Sequence, residues 1–230
     1  MKRQAETVAG SPRRSIGRPR CETTRSQILA ASLRLLESRP LQAITIEAIA
    51  KEAGVGKATI YRWWSSKALI VIDAFIEHHV VKTPMPRGIP PGDALAAHLL
   101  SLIREYAGWS GHIVAQILAE GQCDPTVLRE LRERFHYGRR AVVREMLEQW
   151  TRTSRIPVPT DIEVLGELLY APIYMRLLLK NAPLDEKFAR EHVGYVYALL
   201  GVAAPEFELN PVSEKTPPIS KRSKLFVASS

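Results

Sequence analysis

Between Ala53 and Ile70 the chain reads AGVGKATIYRWWSSKALI, crowding Lys57, Thr59, Tyr61, Arg62, Trp63 and Lys67 together. Cations and hydroxyls set among aromatic rings can neutralise phosphate, hydrogen-bond base edges and lie against a groove wall. Other chemistries are poorly supplied. GVGKAT looks like the end of a phosphate-binding loop, but the required first glycine would fall at Lys51, and Ala58 follows Lys57 where Ser or Thr is needed. The six histidines make no H-E-x-x-H pattern, and adjacent His78 and His79 on a helix cannot aim both rings one way. No G-x-S-x-G elbow accompanies the Ser, His and Asp residues. Neither an enzyme nor a metal or other cofactor is expected.

Charge singles out the same part of the chain. The 230 residues carry a formal net charge of +8. Lys2, Arg3, Arg13, Arg14, Arg18, Arg20 and Arg25 stand against only Glu6 and Glu22, and the excess continues more weakly to Asp73. From Ala74 to Ala204 the charges balance. A basic excess confined to one segment is an electrostatic footprint for a polyanion. The arginines between Arg129 and Arg144 alternate instead with Glu130, Glu133, Glu145 and Glu148, which predicts a solvated face laced with i,i+4 pairs. Cys21 and Cys123 are too few for a disulfide framework and are read as free thiols. No apolar run reaches the ~20 residues of a membrane span, so a cytoplasmic protein with no membrane partner is expected.

The elements that must hold the basic stretch are helical. A hydrophobic content of 46% is enough for a sizeable core. Gly10, Pro12, Gly17 and Pro19 mark residues 1–22 as a disordered basic arm. Ile28, Leu29, Leu33 and Leu36 recur at helical spacing, so a first helix is expected from Thr23 or Thr24 to about Ser38. Thr45 is suited to cap a second, over residues 46–53, that Gly54 ends. A third runs from about Lys57 to Trp64, and Ser66 starts a fourth. Two short helices around a glycine-containing turn have the form of a helix-turn-helix. On the third, Ile60 and Trp64 point to the core while Ala58 and Arg62 point away. Further helices are expected over residues 93–108, 112–121, 126–150, 161–180 and 185–200. The last two are apolar on more than one face, as helices with a partner beyond their own domain are. Proline, serine and lysine mark a disordered tail from Pro205.

The stretch TIEAIAKEAGVGKATIYRWWSSKALI, with the apolar pattern of the preceding helix, resembles the DNA-binding domain of the tetracycline-repressor (TetR/AcrR) family of bacterial transcriptional regulators. The resemblance spans about residues 24–71. It implies an all-α protein: a three-helix reading domain over 23–72, then a helical ligand-binding and dimerisation domain over 73–204. By the same resemblance Thr45 holds a phosphate, Lys57, Ala58 and Thr59 face base edges, and Lys67 anchors another phosphate. Tyr61 and Trp63 lie against backbone and groove wall, packing on the first helix being the other place for Trp63. Gly56 replaces the serine often found there, which weakens the cap of the third helix. IGRPR in the arm is similar to the Gly-Arg-Pro elements that lie in A·T-rich minor grooves, making Arg18 and Arg20 contact candidates.

Family likeness further implies a homodimer on a near-palindromic double-stranded operator, most simply a repressor that a small molecule releases. Aromatic and polar content nominates Tyr106, Trp109, His112, Gln116 and Phe135 for the ligand pocket. The closing helices nominate Leu169, Tyr170, Ile173, Tyr174, Leu177, Val193 and Tyr197 for the dimer interface. The alternative is a DNA-binding module without inducer that acts through protein partners, which would have no cavity among the middle helices.

Overall fold

The computed structural model describes residues 18–83, 86, 88–154 and 161–205; side chains of 18–21, 80–82 and 154 are outside the described set. Ten helices and two short irregular helical segments make up the described chain, with no strand among them. Helix α1 spans Arg18–Ser38, a 3-10 turn covers Leu41–Ala43, α2 spans Ile46–Ala53, α3 Lys57–Tyr61 and α4 Lys67–Lys82. Then come α5 (Pro91–Ala107), α6 (Trp109–Cys123), α7 (Pro125–Leu131), a π-helical segment (Arg132–His136), α8 (Tyr137–Ser154), α9 (Ile162–Leu179) and α10 (Glu186–Leu199).

Side-chain capping sets half of the helix starts. Thr45 accepts the N–H of Ala48 at 3.1 Å, Ser66 that of Leu69, Asp161 those of Glu163 and Val164, and Asp185 that of Phe188. Each bond satisfies an amide that the first turn leaves without a helical partner. Gly54 ends α2 at φ 67°, letting Val55 N–H reach the Ala50 carbonyl and Gly54 N–H reach that of Lys51. That paired closure depends on a left-handed residue, which glycine adopts without strain.

Three boundaries differ from the sequence expectation. Helix α1 begins at Arg18 rather than Thr23 or Thr24, because Pro19 falls in its first turn, where a missing N–H costs nothing. Helix α3 stops at Tyr61 rather than Trp64, and Arg62–Trp64 continue as a turn. The single helix expected over 126–150 is α7, the π-segment and α8. Residues 1–17 and 206–230, the bulk of the expected arm and tail, lie outside the described residues, as do the Arg18 and Arg20 side chains.

Helices α1, α2 and α3 pack around Ile28, Leu33, Leu36, Ile49 and Ile60, all buried, with the start of α4 closing the group. Helix α4 then runs on against α6 and α7. Helix α5, the larger part of it buried, lies against α6, α8, α9 and α10. Burying each large aliphatic side chain contributes ~1.5–3 kcal/mol, so this continuous core holds the reading residues on one frame. Among the described residues no helix is long and apolar enough to cross a membrane.

Candidate nucleic-acid interface and ligand cavity

Ile60 is buried completely and Trp64 almost so, whereas Tyr61 is 55% exposed and Lys57, Ala58 and Arg62 are also exposed. The short α3 therefore presents its first residues and Tyr61 outward while Ile60 fixes it to α1 and α2. Gly56 precedes it in extended conformation with no side-chain cap. Trp63 is half-buried: it packs on the core and meets the Trp64 ring edge-on, centroids 5.5 Å apart. Part of its ring rests on the domain and part is open to solvent. Lys57 Nζ donates to Glu47 at 3.1 Å, tying the front of α3 to the first turn of α2 beside Thr45. A phosphate at that place would compete with one exposed carboxylate, a modest barrier.

Lys67, given a phosphate contact by the resemblance, also makes bonds within the protein. Its ammonium donates to the carbonyls of Leu41 at 2.8 Å and Gln42 at 3.0 Å, closing the 3-10 turn between α1 and α2. Two of its three donors are engaged in these bonds, so the side chain has a structural part beside any contact to phosphate. The Leu41 N–H is held from the other side by the side-chain carbonyl of Gln116 in α6. Gln116 thus links the reading domain to the second domain instead of lining the cavity between α4, α5, α8 and α9.

That cavity, about 230 Å³, lies among α4, α5, the π-segment, α8 and α9. Its walls include His79, His98, Leu102, Tyr106, Phe135 and Arg139. Tyr106 and Phe135 were expected here. Trp109 packs instead edge-on against His78, centroids 5.3 Å apart, because α6 turns it toward α4. His112 and Gln116 border a second, larger cleft of about 490 Å³ that Tyr106 also lines, with Arg176 and Pro183.

Tyr170 and Tyr174 line the cavity too: the Tyr170 hydroxyl bonds His98 Nε2 at 2.8 Å, and that of Tyr174 bonds the Tyr106 hydroxyl at 3.2 Å. The remaining interface candidates are also placed inside. Leu169, Ile173, Leu177, Val193 and Tyr197 are buried within this one chain, because a spacing of four puts the first three on one inward face of α9 and the last two on the face of α10 that meets α5. The large apolar residues of the two helices that remain exposed are Val164, Leu168, Met175, Leu178, Leu179, Tyr195 and Leu199.

Burial, with Arg139 nearby, pushes the His98 imidazole down to about 3, so it is neutral at physiological pH. Burial raises the phenols of Tyr106, Tyr170 and Tyr174, which are likewise neutral. Arg139 was expected on the solvated arginine face with its neighbours. Arg134 and Arg144 do make i,i+4 pairs there, with Glu130 and Glu148, but Arg139 turns inward and donates to the carbonyl and hydroxyl of Thr83 at the end of α4. Sequence alternation of arginine and glutamate hides this, since nothing local marks which side of α8 meets the bundle. No cluster of metal-ligating side chains occurs among the described residues.

A helix-turn-helix head joined through one continuous helix to a second helical domain is the plan of a helix-turn-helix transcriptional regulator. The profile "Bacterial regulatory proteins, tetR family" matches residues 28–74, and "Tetracyclin repressor-like, C-terminal domain" matches 91–196. The HTH-type transcriptional regulator YdeS of Bacillus subtilis (strain 168) is 34% identical over 188 residues, covering 82% of this chain and 94% of YdeS. The crystal structure of the TetR family transcription regulator SCO0332 superposes with a TM-score of 0.65 at 26% identity, covering 79% of this chain and 99% of that one. A Bacillus subtilis FadR structure, in complex with stearoyl-CoA, shares the fold at a TM-score of 0.60 and 17% identity over 74% of this chain and 96% of its own. The chain belongs to the tetracycline-repressor family of helix-turn-helix transcriptional regulators.

Proposed function

We propose that the protein is a cytoplasmic homodimeric repressor, released from a near-palindromic DNA operator when a small molecule enters the cavity. The observation carrying this reading is that the cavity borders α4, the helix that leaves the reading head, through His79 and through the Arg139 bonds to Thr83. A ligand there changes what α4 packs against. Release requires only that the ligand favour a head spacing that does not fit the operator. The presence of a cavity favours this over a DNA-binding module without inducer.

Phosphate neutralisation by the basic N-terminal third supplies most of the affinity. Thr45, Lys57, Ala58, Thr59, Tyr61, Arg62 and Trp63 supply register and sequence reading, with Arg18 and Arg20 reaching the minor groove. The second copy docks on the apolar surface of α9 and α10, where Leu168, Met175, Tyr195 and Leu199 are exposed. Two-fold symmetry then sets half-sites about one ~34 Å helical turn apart.

The test is an anisotropy titration against the DNA flanking the gene, with excess random DNA, at two salt concentrations. Saturable, competitor-resistant binding at two protomers or a multiple per site is expected. Binding that disappears with competitor and modest salt would overturn the reading.

A further inference from the structure

We infer that the cavity takes a compact organic carboxylate with an aromatic body, its anionic end received by Arg139. This rests on the reading of the cavity as the ligand site and adds the chemical class of the ligand.

The charges around the cavity carry the inference. Arg140 lines the mouth but is already neutralised, with Nε on Glu163 at 2.8 Å and Nη2 on Glu167 at 3.1 Å. Glu167 is the only acidic side chain of the lining, and it is that arginine's partner. Arg139 has no carboxylate partner among the described residues; its only hydrogen bonds there leave from Nη2 to Thr83. Tyr106, Tyr170 and Tyr174 surround it as neutral phenols, and His98 is neutral. A guanidinium has five N–H donors in a fork that matches a carboxylate, and a charge removed from water is costly until it is paired. An anion entering the cavity therefore meets one uncompensated cation with donors to spare, whereas a cation meets none of the opposite sign that is free.

The walls decide the rest of the molecule. Phe135 stands edge-on to His79 at 5.3 Å, and Leu102 and Ala171 add apolar surface, an environment suited to a flat ring. At about 230 Å³ the space falls below the ~300–1,000 Å³ of pockets for drug-sized ligands. A coenzyme A thioester does not fit inside. Gly166, buried on α9, lines the same space, and a Cβ built on it would meet nothing within 4 Å. A side chain there would grow into the cavity.

Calorimetry on the full-length protein with benzoate and 2-naphthoate, each against its neutral amide, tests the inference. The carboxylates are expected to bind about tenfold or more tightly than the amides, as for a hydrogen bond to a charged group. Arg139→Gln should abolish that preference, Arg139→Lys should keep most of it, and Gly166→Leu should remove binding of all four compounds. Equal binding of acid and amide, a preference that survives Arg139→Gln, or no carboxylate binding at millimolar concentration would each overturn it. DNA anisotropy separates the two readings. Arg139-dependent carboxylate binding that leaves DNA bound would sink ligand release and retain the ligand class. Release of DNA by a neutral compound, blocked by Gly166→Leu and indifferent to Arg139→Gln, would do the reverse.

Discussion

The indole N–H of Trp64 donates to Oδ2 of Asp73 at 2.8 Å, tying the end of the reading head to the middle of α4. The same carboxylate accepts Arg134 Nη1 from the π-segment at 2.8 Å and lies 3.5 Å from Arg25 Nη2 of α1. Head, connecting helix and second domain meet on one acidic side chain. Trp64→Ala should cost ~3–5 kcal/mol in denaturant unfolding, as an aromatic deleted from a core does. Trp64→Phe, which keeps most of the volume and removes the donor, should cost much less. Equal losses would show that the hydrogen bond, and not the packing, is what Trp64 supplies.

Tyr61 and Lys67 separate reading from scaffolding. Tyr61→Phe removes an exposed hydroxyl and should weaken operator binding while leaving the thermal midpoint unchanged. Lys67→Ala removes the ammonium that closes Leu41 and Gln42 and should lower stability by ~1.5–3 kcal/mol. An unchanged midpoint for Lys67→Ala would mean that its work is on DNA alone.

His98 makes stability depend on pH. Its imidazole stays neutral in the folded chain down to about 3, against an ordinary value of 6.5, with Arg139 and Tyr170 facing it and the buried α5 around it. Between those values the unfolded chain binds a proton that the folded chain refuses. The contribution is therefore fully present above about pH 6.5 and is lost as pH falls, by up to ~1.4 kcal/mol per unit. Denaturation midpoints at pH 5 and 7 should differ in that sense, and His98→Gln should reduce the difference. A midpoint that rises on acidification would contradict the assignment.

On the proposed dimer surface, Tyr195 is 72% exposed and Met175 55%. Tyr195→Glu combined with Met175→Glu should give a folded monomer in sedimentation, with operator affinity reduced at least as far as loss of the second reading head requires. The same substitution at Leu169 or Val193 should unfold the chain, since both are buried within it. A dimer that survives the double change would place the partner elsewhere.

The features legible in sequence are those fixed within a few residues. Thr45, Gly54, Ser66, Asp161 and Asp185 close or open their helices through bonds to near neighbours, and Ile60 and Trp64 follow from the period of one helix. What escaped depends on which flank of an element meets another. Helix α9 is apolar on more than one face, so sequence could nominate Leu169, Tyr170, Ile173 and Tyr174 for a partner, yet they turn inward and leave Leu168 and Met175 outside. Arg139 reads like Arg144 until α5 and α9 are placed beside it. Lys67 reads only as a phosphate anchor, and its bond to the Leu41 carbonyl shows once the two are side by side. Only the assembled helices distinguish these.

The π-segment at Arg132–His136, where the Tyr137 N–H reaches the Arg132 carbonyl five residues back, looks like a helix that has gained a residue. Each residue turns an α-helix by about 100°. Deleting one residue here would restore ordinary winding and carry Arg139 about a quarter-turn away from the cavity. In evolutionary terms, the polarity of the ligand site is then adjustable by a single-codon insertion or loss, far from α3. A lineage could change the signal it answers while keeping the operator it reads.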